Sequence, residues 1–195
     1  ELNLIVVHLG GGISVGAHRK GLVIDVNNAL NGEGPISPER AGTVPSEALA
    51  TLCFSGKYTL NEVKKMLHGK AGLAAYLGTS DMITIEEKAI EGKEPYKTLV
   101  AAMDYTVAKE IGAMFVALKG QCDAIILTGG IAYSDYCVAD IKEQIEYLCK
   151  VVVLPGENEM ESLAENAFGA LTGELPVLTY TGVSCAEEIP GMAEA

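Results

Sequence analysis

Basic side chains are scarce in this sequence. Lysine and arginine total 14 against 26 aspartates and glutamates, a formal net charge of −12. A surface of that sign repels phosphate backbones and anionic lipid, so nucleic acid and membrane surfaces are excluded as first partners. No apolar run approaches the ~18 residues of a membrane span. The longest, residues 124–127 and 151–154, are strand-sized. The cysteines Cys53, Cys122, Cys137, Cys149 and Cys185 include no Cys-x-x-Cys pair, and their number is odd. A disulfide framework and a thiolate zinc site are thereby disfavoured, and a reducing, cytoplasmic compartment is expected. There is no initiator methionine, no charged leader and no signal peptide: Glu1 runs directly into an apolar strand. The start reads as cut out of a longer polypeptide. Internal repeats and low-complexity segments are also lacking.

What is present is a chain of 195 residues, 49% hydrophobic, long enough for one domain or two small ones with a real core. Residues 2–7 read as a buried strand that ends at His8. Gly10-Gly11-Gly12 breaks it, residues 13–17 resume a strand pattern, and residues 22–26 form a third strand after a turn. Short turns make the three strands antiparallel neighbours, since a parallel return needs a crossover of about a dozen residues. Residues 27–45 are rich in Asn, Gly, Pro and Ser and read as a long irregular loop, a length that usually means function or disorder. Thr59 with Glu62 forms a capping box for a helix to about Leu67. A second helix is expected over 81–90. The longest, 94–118, carries Leu99, Val100, Met103, Val107, Ile111, Met114, Phe115 and Leu118 at three- and four-residue spacing. Next come a strand at 123–127, a helix marked by Val138, Ile141, Ile145 and Leu148, a strand at 151–154, and a helix marked by Met160, Leu163, Ala167 and Leu171. The tail from Gly173 is weakly patterned. Three antiparallel strands, a helical stretch and then β-α-β-α predict a mixed α/β sheet with helices on its faces, the order of a ribonuclease-H-like lobe of the actin and sugar-kinase type.

Four segments can carry chemistry. In His8-Leu9-Gly10-Gly11-Gly12, consecutive backbone N–H groups can nest a phosphate, or the glycines can simply make a tight hairpin beside a strand-end histidine. Residues 13–17 alternate like a strand and do not open a helix, so this is not a dinucleotide-binding fingerprint, and no Gly-Lys-Ser/Thr makes it a P-loop. In the 27–45 loop, Arg40 can clamp a transferring phosphoryl group or stand in solvent. Thr128-Gly129-Gly130-Ile131-Ala132 comes after a strand, where glycine lets a nucleoside lie against the backbone or merely turns the chain. Glu157, Glu159 and Glu161 can hold Mg²⁺, or can favour a helix dipole from the first turn. Neither His18 nor His68 has a partner at ligand spacing, and both read as surface residues.

Taken together, these segments resemble the acetate and butyrate kinase family. "HLGGGISVGAHRKGLVIDVNNALNGEGPISPERAGTVP" at 8–45 looks like its butyrate kinase signature. "AAYLGTSD" at 74–81, "ILTGGIAYSD" at 126–135 and "LPGENEMESLAENA" at 154–167 come after it in order, and the likeness covers about residues 2–172. The resemblance implies an actin-like, two-lobed ATPase fold, Mg²⁺, and reversible phosphoryl transfer between ATP and butanoate. Acetate, propionate and branched-chain acids are the competing substrates, and a non-catalytic actin-like nucleotide-binding module is the reading from another class. Carried over by position, His8 and Arg40 are the catalytic pair. Gly10, Gly11, Gly12, Asp81, Gly129, Gly130 and Ile131 line the ATP/ADP path, and Glu159 or Glu157 serves the metal. Where the family usually has an arginine two residues after the Asp81 position, this chain has Ile83. The family's first lobe, with its own phosphate loop and a further histidine, has no counterpart here. Residues 1–172 are thus expected to be a C-terminal nucleotide-binding lobe with a helical insertion at about 46–92, and 173–195 a weakly structured tail. The isolated chain is expected to be inactive, and the full enzyme a homo-oligomer.

Overall fold

Alternation of burial along the first strands shows why they pair. In β1 (Asn3–Leu9), Ile5, Val7 and Leu9 are buried, while the residues between them are only partly covered. β2 (Ile13–Arg19) returns antiparallel to it, with Leu9 opposite Ile13 across the three glycines, and β3 (Leu22–Val26) pairs antiparallel with β2. The computed structural model describes residues 2–177 and 179, so Cys185 and most of the expected tail lie outside the described residues. Two more strands, β4 (Ala124–Gly129) and β5 (Val151–Pro155), complete a five-stranded sheet of order β3-β2-β1-β4-β5. β1/β4 and β4/β5 run parallel. This is the mixed sheet expected from the element order. β1 and β2 each run two residues beyond their expected ends, so His8 lies inside β1 and not at its end.

Between β3 and β4 the chain is helical: α1 (Ser46–Cys53), α2 (Leu60–Leu67), α3 (Gly72–Leu77), α4 (Met82–Ile90) and α5 (Tyr96–Ala117). The α2 capping box is present, with Thr59 accepting from the Glu62 N–H and Glu62 accepting from the Thr59 N–H. α5 buries Val100, Met103, Val107, Ile111 and Met114 against the sheet, the stripe that its spacing predicts. α6 (Asp135–Ile145) lies between β4 and β5 and packs on α5 with Cys137, Val138, Ile141 and Ile145. α1 and α3 were not legible as separate helices. α1 has Ala48, Leu49 and Leu52 on one face but is only eight residues long and buries none of them fully, and α3 is shorter than two turns.

The chain divides into two compact units, Glu1–Glu157 and Asn158–Ala195. The second contains α7 (Glu159–Thr172), which ends on Gly173 in the left-handed region. No described helix is long and apolar enough to cross a membrane.

Candidate active site at the carboxyl ends of the parallel strands

Parallel strands of an α/β sheet present their carboxyl ends to ligands, because the connecting turns there leave backbone groups free. Here β1, β4 and β5 end side by side. Beyond its last ladder bond, Gly129 exchanges two hydrogen bonds with Gly156, 3.2 and 3.1 Å long. Gly129 is buried, with φ 93°, and a β-carbon on it would come within 2.6 Å of the Leu9 carbonyl oxygen. Its lack of a side chain is therefore required by the close approach of β4 to β1. The next residue, Gly130, is exposed and opens a short 3-10 turn, Gly130–Tyr133.

A cavity of about 330 Å³ opens at this edge, lined by Gly10, Gly11, Pro38, Ser80, Asp81, Met82, Ile83, Gly130, Ile131 and Glu157. It joins a second of about 220 Å³ through the shared residues Met82, Ile83, Gly130 and Ile131. Of the residues expected at the site, Gly10, Gly11, Asp81, Gly130, Ile131 and Glu157 thus share one cavity. Gly129, buried at the end of β4, precedes Gly130 and is not in its lining. His8 is not in the lining either but adjoins two residues that are: the imidazole Nε2 stands 3.5 Å from a Glu157 carboxylate oxygen, and a β-carbon on Gly10 would be 3.0 Å from the same nitrogen. Glu159 is the first residue of α7, in the second unit.

Arg40 packs on the glycine turn but is not among the residues that line the cavity. Its side chain lies across Gly12, where a β-carbon would sit 3.6 Å from Arg40 Cγ and 3.7 Å from Nε. The Nε–H is buried and has no hydrogen-bond partner among the described residues. Nη1 donates to the Glu39 carbonyl at 3.3 Å and lies 3.6 Å from the Glu39 carboxylate. The guanidinium is thus paired on one side with Glu39, while its buried Nε–H is left without a partner among the described residues.

Several residues that position this loop escaped the sequence reading. The Gly11 carbonyl accepts from the Ser37 hydroxyl at 2.8 Å and from the Glu39 N–H at 3.0 Å. In a trans peptide the Gly12 N–H must then point to the opposite side of the turn. Ser37 also accepts from the Arg40 N–H at 3.1 Å, and the Ser37 N–H donates to the Arg40 carbonyl at 3.1 Å, closing a turn over residues 37–40. Buried Asn27 ties the loop to β2. Its amide accepts from the Val15 N–H at 2.7 Å and donates to the Ile13 and Glu33 carbonyls. Serine and asparagine in a polar loop look like solvated residues, so only the burial of these two reveals the role. His68, expected at the surface, is half-buried, and its backbone bridges Arg40.

Asp81 caps α4. One carboxylate oxygen accepts from the Ile83 N–H at 3.2 Å and the other from the Thr84 hydroxyl at 2.6 Å. The Thr84 hydrogen bond, then those from the helix N–H groups, hold its pKa below the ordinary value. Asp81 is thus ionised as a structural cap, whatever it contributes to the cavity.

Among the described residues no three His, Cys, Asp or Glu side chains gather as a metal cage. Mg²⁺ in phosphoryl transfer takes one or two carboxylates and completes its shell with water and phosphate oxygens. Glu157, on the cavity wall, meets that requirement.

Comparison with known proteins gives the family. The model of the Acetokinase family matches residues 1–169. A probable butyrate kinase of Phocaeicola vulgatus is 72% identical over 180 residues, covering 92% of this chain and 51% of the relative. One of Bacteroides thetaiotaomicron is 54% identical over the same lengths. The chain therefore spans about half the length of the curated relatives it matches. Among solved structures, the acetate kinase of Porphyromonas gingivalis superposes with a TM-score of 0.76 at 22% identity, over 86% of this chain and 49% of that one. That likeness carries the fold: the mixed sheet with helices on its faces is the one found in half of that acetate kinase.

Proposed function

The chain belongs to the acetokinase family, and from that premise we propose that it is the nucleotide-binding half of a carboxylate kinase. The reaction is butanoate + ATP ⇌ butanoyl phosphate + ADP. The observation that carries this reading is the joined cavity at the carboxyl ends of β1, β4 and β5, with glycine N–H groups at one end and an unpaired arginine donor packed on the glycine turn. High identity to proteins called probable butyrate kinases favours a four-carbon acid over acetate.

Phosphoryl transfer asks little covalent chemistry of a protein, so the work is positioning and stabilisation of charge. In this reading the Gly11 and Gly12 N–H groups support the phosphate chain, while the Gly10 N–H is spent within the turn on the Gly12 carbonyl at 3.2 Å. Arg40 neutralises charge on the oxygens exchanged between carboxylate and phosphate. His8, held by Glu157, adds a donor at the same edge. Glu157 or Glu159 would hold Mg²⁺, which when bound spreads the charge of the phosphate oxygens. The carboxylate oxygen attacks the terminal phosphorus, ADP leaves, and the reverse reaction makes ATP. A cytoplasmic location and a homo-oligomeric enzyme belong to the same proposal.

The test is an acyl-hydroxamate assay with a panel of acetate, propionate, butanoate and branched acids. It is run on this chain alone and on a form extended to the relatives' full length. The extended form should prefer butanoate, and the 195-residue chain should turn over negligibly. In the extended form, Arg40→Ala should lower kcat by about 10²-fold or more with the fold kept. Robust turnover by the short chain would refute the half-enzyme reading, and an unchanged rate would remove Arg40 from the mechanism.

A further inference from the structure

At the end of the sheet away from the cavity, β4 and β5 begin side by side. A cysteine stands two residues before each, Cys122 before β4 and Cys149 before β5. Both are free thiols, and both are partly buried against the core. Strand pairing draws them together. The Ile125 N–H donates to the Lys150 carbonyl at 2.9 Å, where the two strands first meet. Each sulfur is anchored on one side of that bond: the Cys122 thiol donates to the Ala124 carbonyl at 3.3 Å, and the Cys149 thiol to the Lys150 carbonyl at 3.9 Å. The two side chains are also in hydrogen-bond contact with each other. Paired strands run ~4.8 Å apart, inside the ~4.4–6.8 Å between α-carbons that a disulfide spans. Phosphoryl transfer has no use for this pair, since the cavity lies at the opposite ends of the same strands.

We propose that Cys122 and Cys149 are a redox-responsive pair, which an oxidant of the peroxide class closes into a disulfide across the amino ends of β4 and β5. The step balances with hydrogen peroxide. The Cys149 sulfur attacks one peroxide oxygen, the O–O bond breaks, and one water leaves as Cys149 becomes a sulfenic acid. The Cys122 sulfur then attacks the Cys149 sulfur. Its S–H proton goes to the departing hydroxyl, and a second water leaves as the S–S bond forms. Two thiols are oxidised and one peroxide is reduced. Burial first, then the neighbouring Cys149 thiol, pushes the Cys122 thiol up to about 12, so Cys122 suits the second step better than the first.

The closed loop of about 28 residues holds β4, the 3-10 turn and α6. The link therefore fastens one wall of the cavity without entering it. Nothing in this inference needs a nucleotide, so it stands apart from the kinase reading.

The test is oxidation of the 195-residue chain with a small excess of hydrogen peroxide, then alkylation and peptide mapping by mass spectrometry without reductant. Peptides joined through Cys122 and Cys149 should appear, about 2 Da lighter than the two free peptides together. Fragment spectra should place the link on Cys122 and not on buried Cys137, and dithiothreitol should reopen it. The oxidised chain should melt about 5 °C or more above the reduced one, and Cys149→Ser should remove both the link and the shift. Oxidation confined to exposed Cys53, or links that join Cys122 and Cys149 only to other cysteines, would overturn the inference in the wild type without any variant. A linked chain that melts no higher than the reduced one would overturn it as well, by showing that the bond fastens nothing.

Discussion

Asp104 stands out among single residues because it is a carboxyl sealed from solvent. It is fully buried on α5, and neither of its oxygens is held by a hydrogen bond of ordinary geometry among the described residues. Cys137 lies beside it on α6, with Asp140 on the same helix and Glu86 on α4 adding negative charge. Burial first, and those carboxylates second, push its pKa up to about 8. The same burial, with Asp104 adjacent, pushes the Cys137 thiol up to about 12. At neutral pH both are protonated, and Asp104 sits in the core as a neutral acid. The consequence for stability has a definite sign. The folded chain keeps this proton up to about pH 8, whereas an unfolded aspartate loses it near the ordinary value of 3.8. Its contribution is fully present at acid pH and falls as pH rises through that window, by at most about 1.4 kcal/mol per pH unit. Thermal melts between pH 5 and 8 should therefore shift downward with pH, and Asp104→Asn should flatten the slope by roughly 3–5 °C per pH unit. A variant with the wild-type slope would show that Asp104 is already ionised in the folded chain.

At the scale of elements, the six residues of α3 matter more than their length suggests. Its first residue, Gly72, has φ 62°, and a β-carbon there would collide with the Ser37 carbonyl and come within 2.5 Å of the Arg40 carbonyl. The next N–H groups, of Leu73 and Ala74, donate to the Ser37 and Pro38 carbonyls at 3.0 and 2.9 Å. α3 is in effect the backing of the Arg40 turn. Gly72→Ala should displace that turn and destabilise the fold by about 2 kcal/mol or more, read as a lower urea midpoint at unchanged m-value. An unshifted midpoint would mean that the turn does not depend on α3. This element also marks where sequence reading stops. β1 to β5, α2 and α5 were legible because their periods or caps are local: Ile5, Val7 and Leu9 alternate, and Thr59 and Glu62 stand three apart. The docking of Gly72 on Ser37 is a contact between distant segments that leaves no period. A glycine after Ala71 announces a turn and not its partner. The site was legible to the same degree. Gly10, Gly11, Asp81, Gly130, Ile131 and Glu157 were placed by motif and meet at one cavity, whereas Ser37 and Asn27 carry no local signal.

At the scale of the whole molecule, a net charge of −12 opposes the approach of any polyphosphate. In the proposed site the glycine N–H groups and Arg40 would act within a few ångströms, well inside the ~8 Å Debye length of physiological salt, so they would be screened little while the long-range field is screened strongly. The association rate of ATP should therefore rise between 10 and 150 mM salt, by about 2-fold or more in stopped-flow binding. A rate that falls with salt would show that the local cation outweighs the field even at a distance. The pairing of β1 with β4 has a consequence of another kind. Leu4 lies opposite Ala124, so most of the chain must loop out before the two strands meet, and closing so long a loop is slow. The hairpin of β1 and β2, with its glycine turn, needs only neighbours. One wall of the trough is thus available early in folding and the other arrives late. Recovery of ligand binding during refolding would time the moment at which the antiparallel and parallel halves of the sheet find each other.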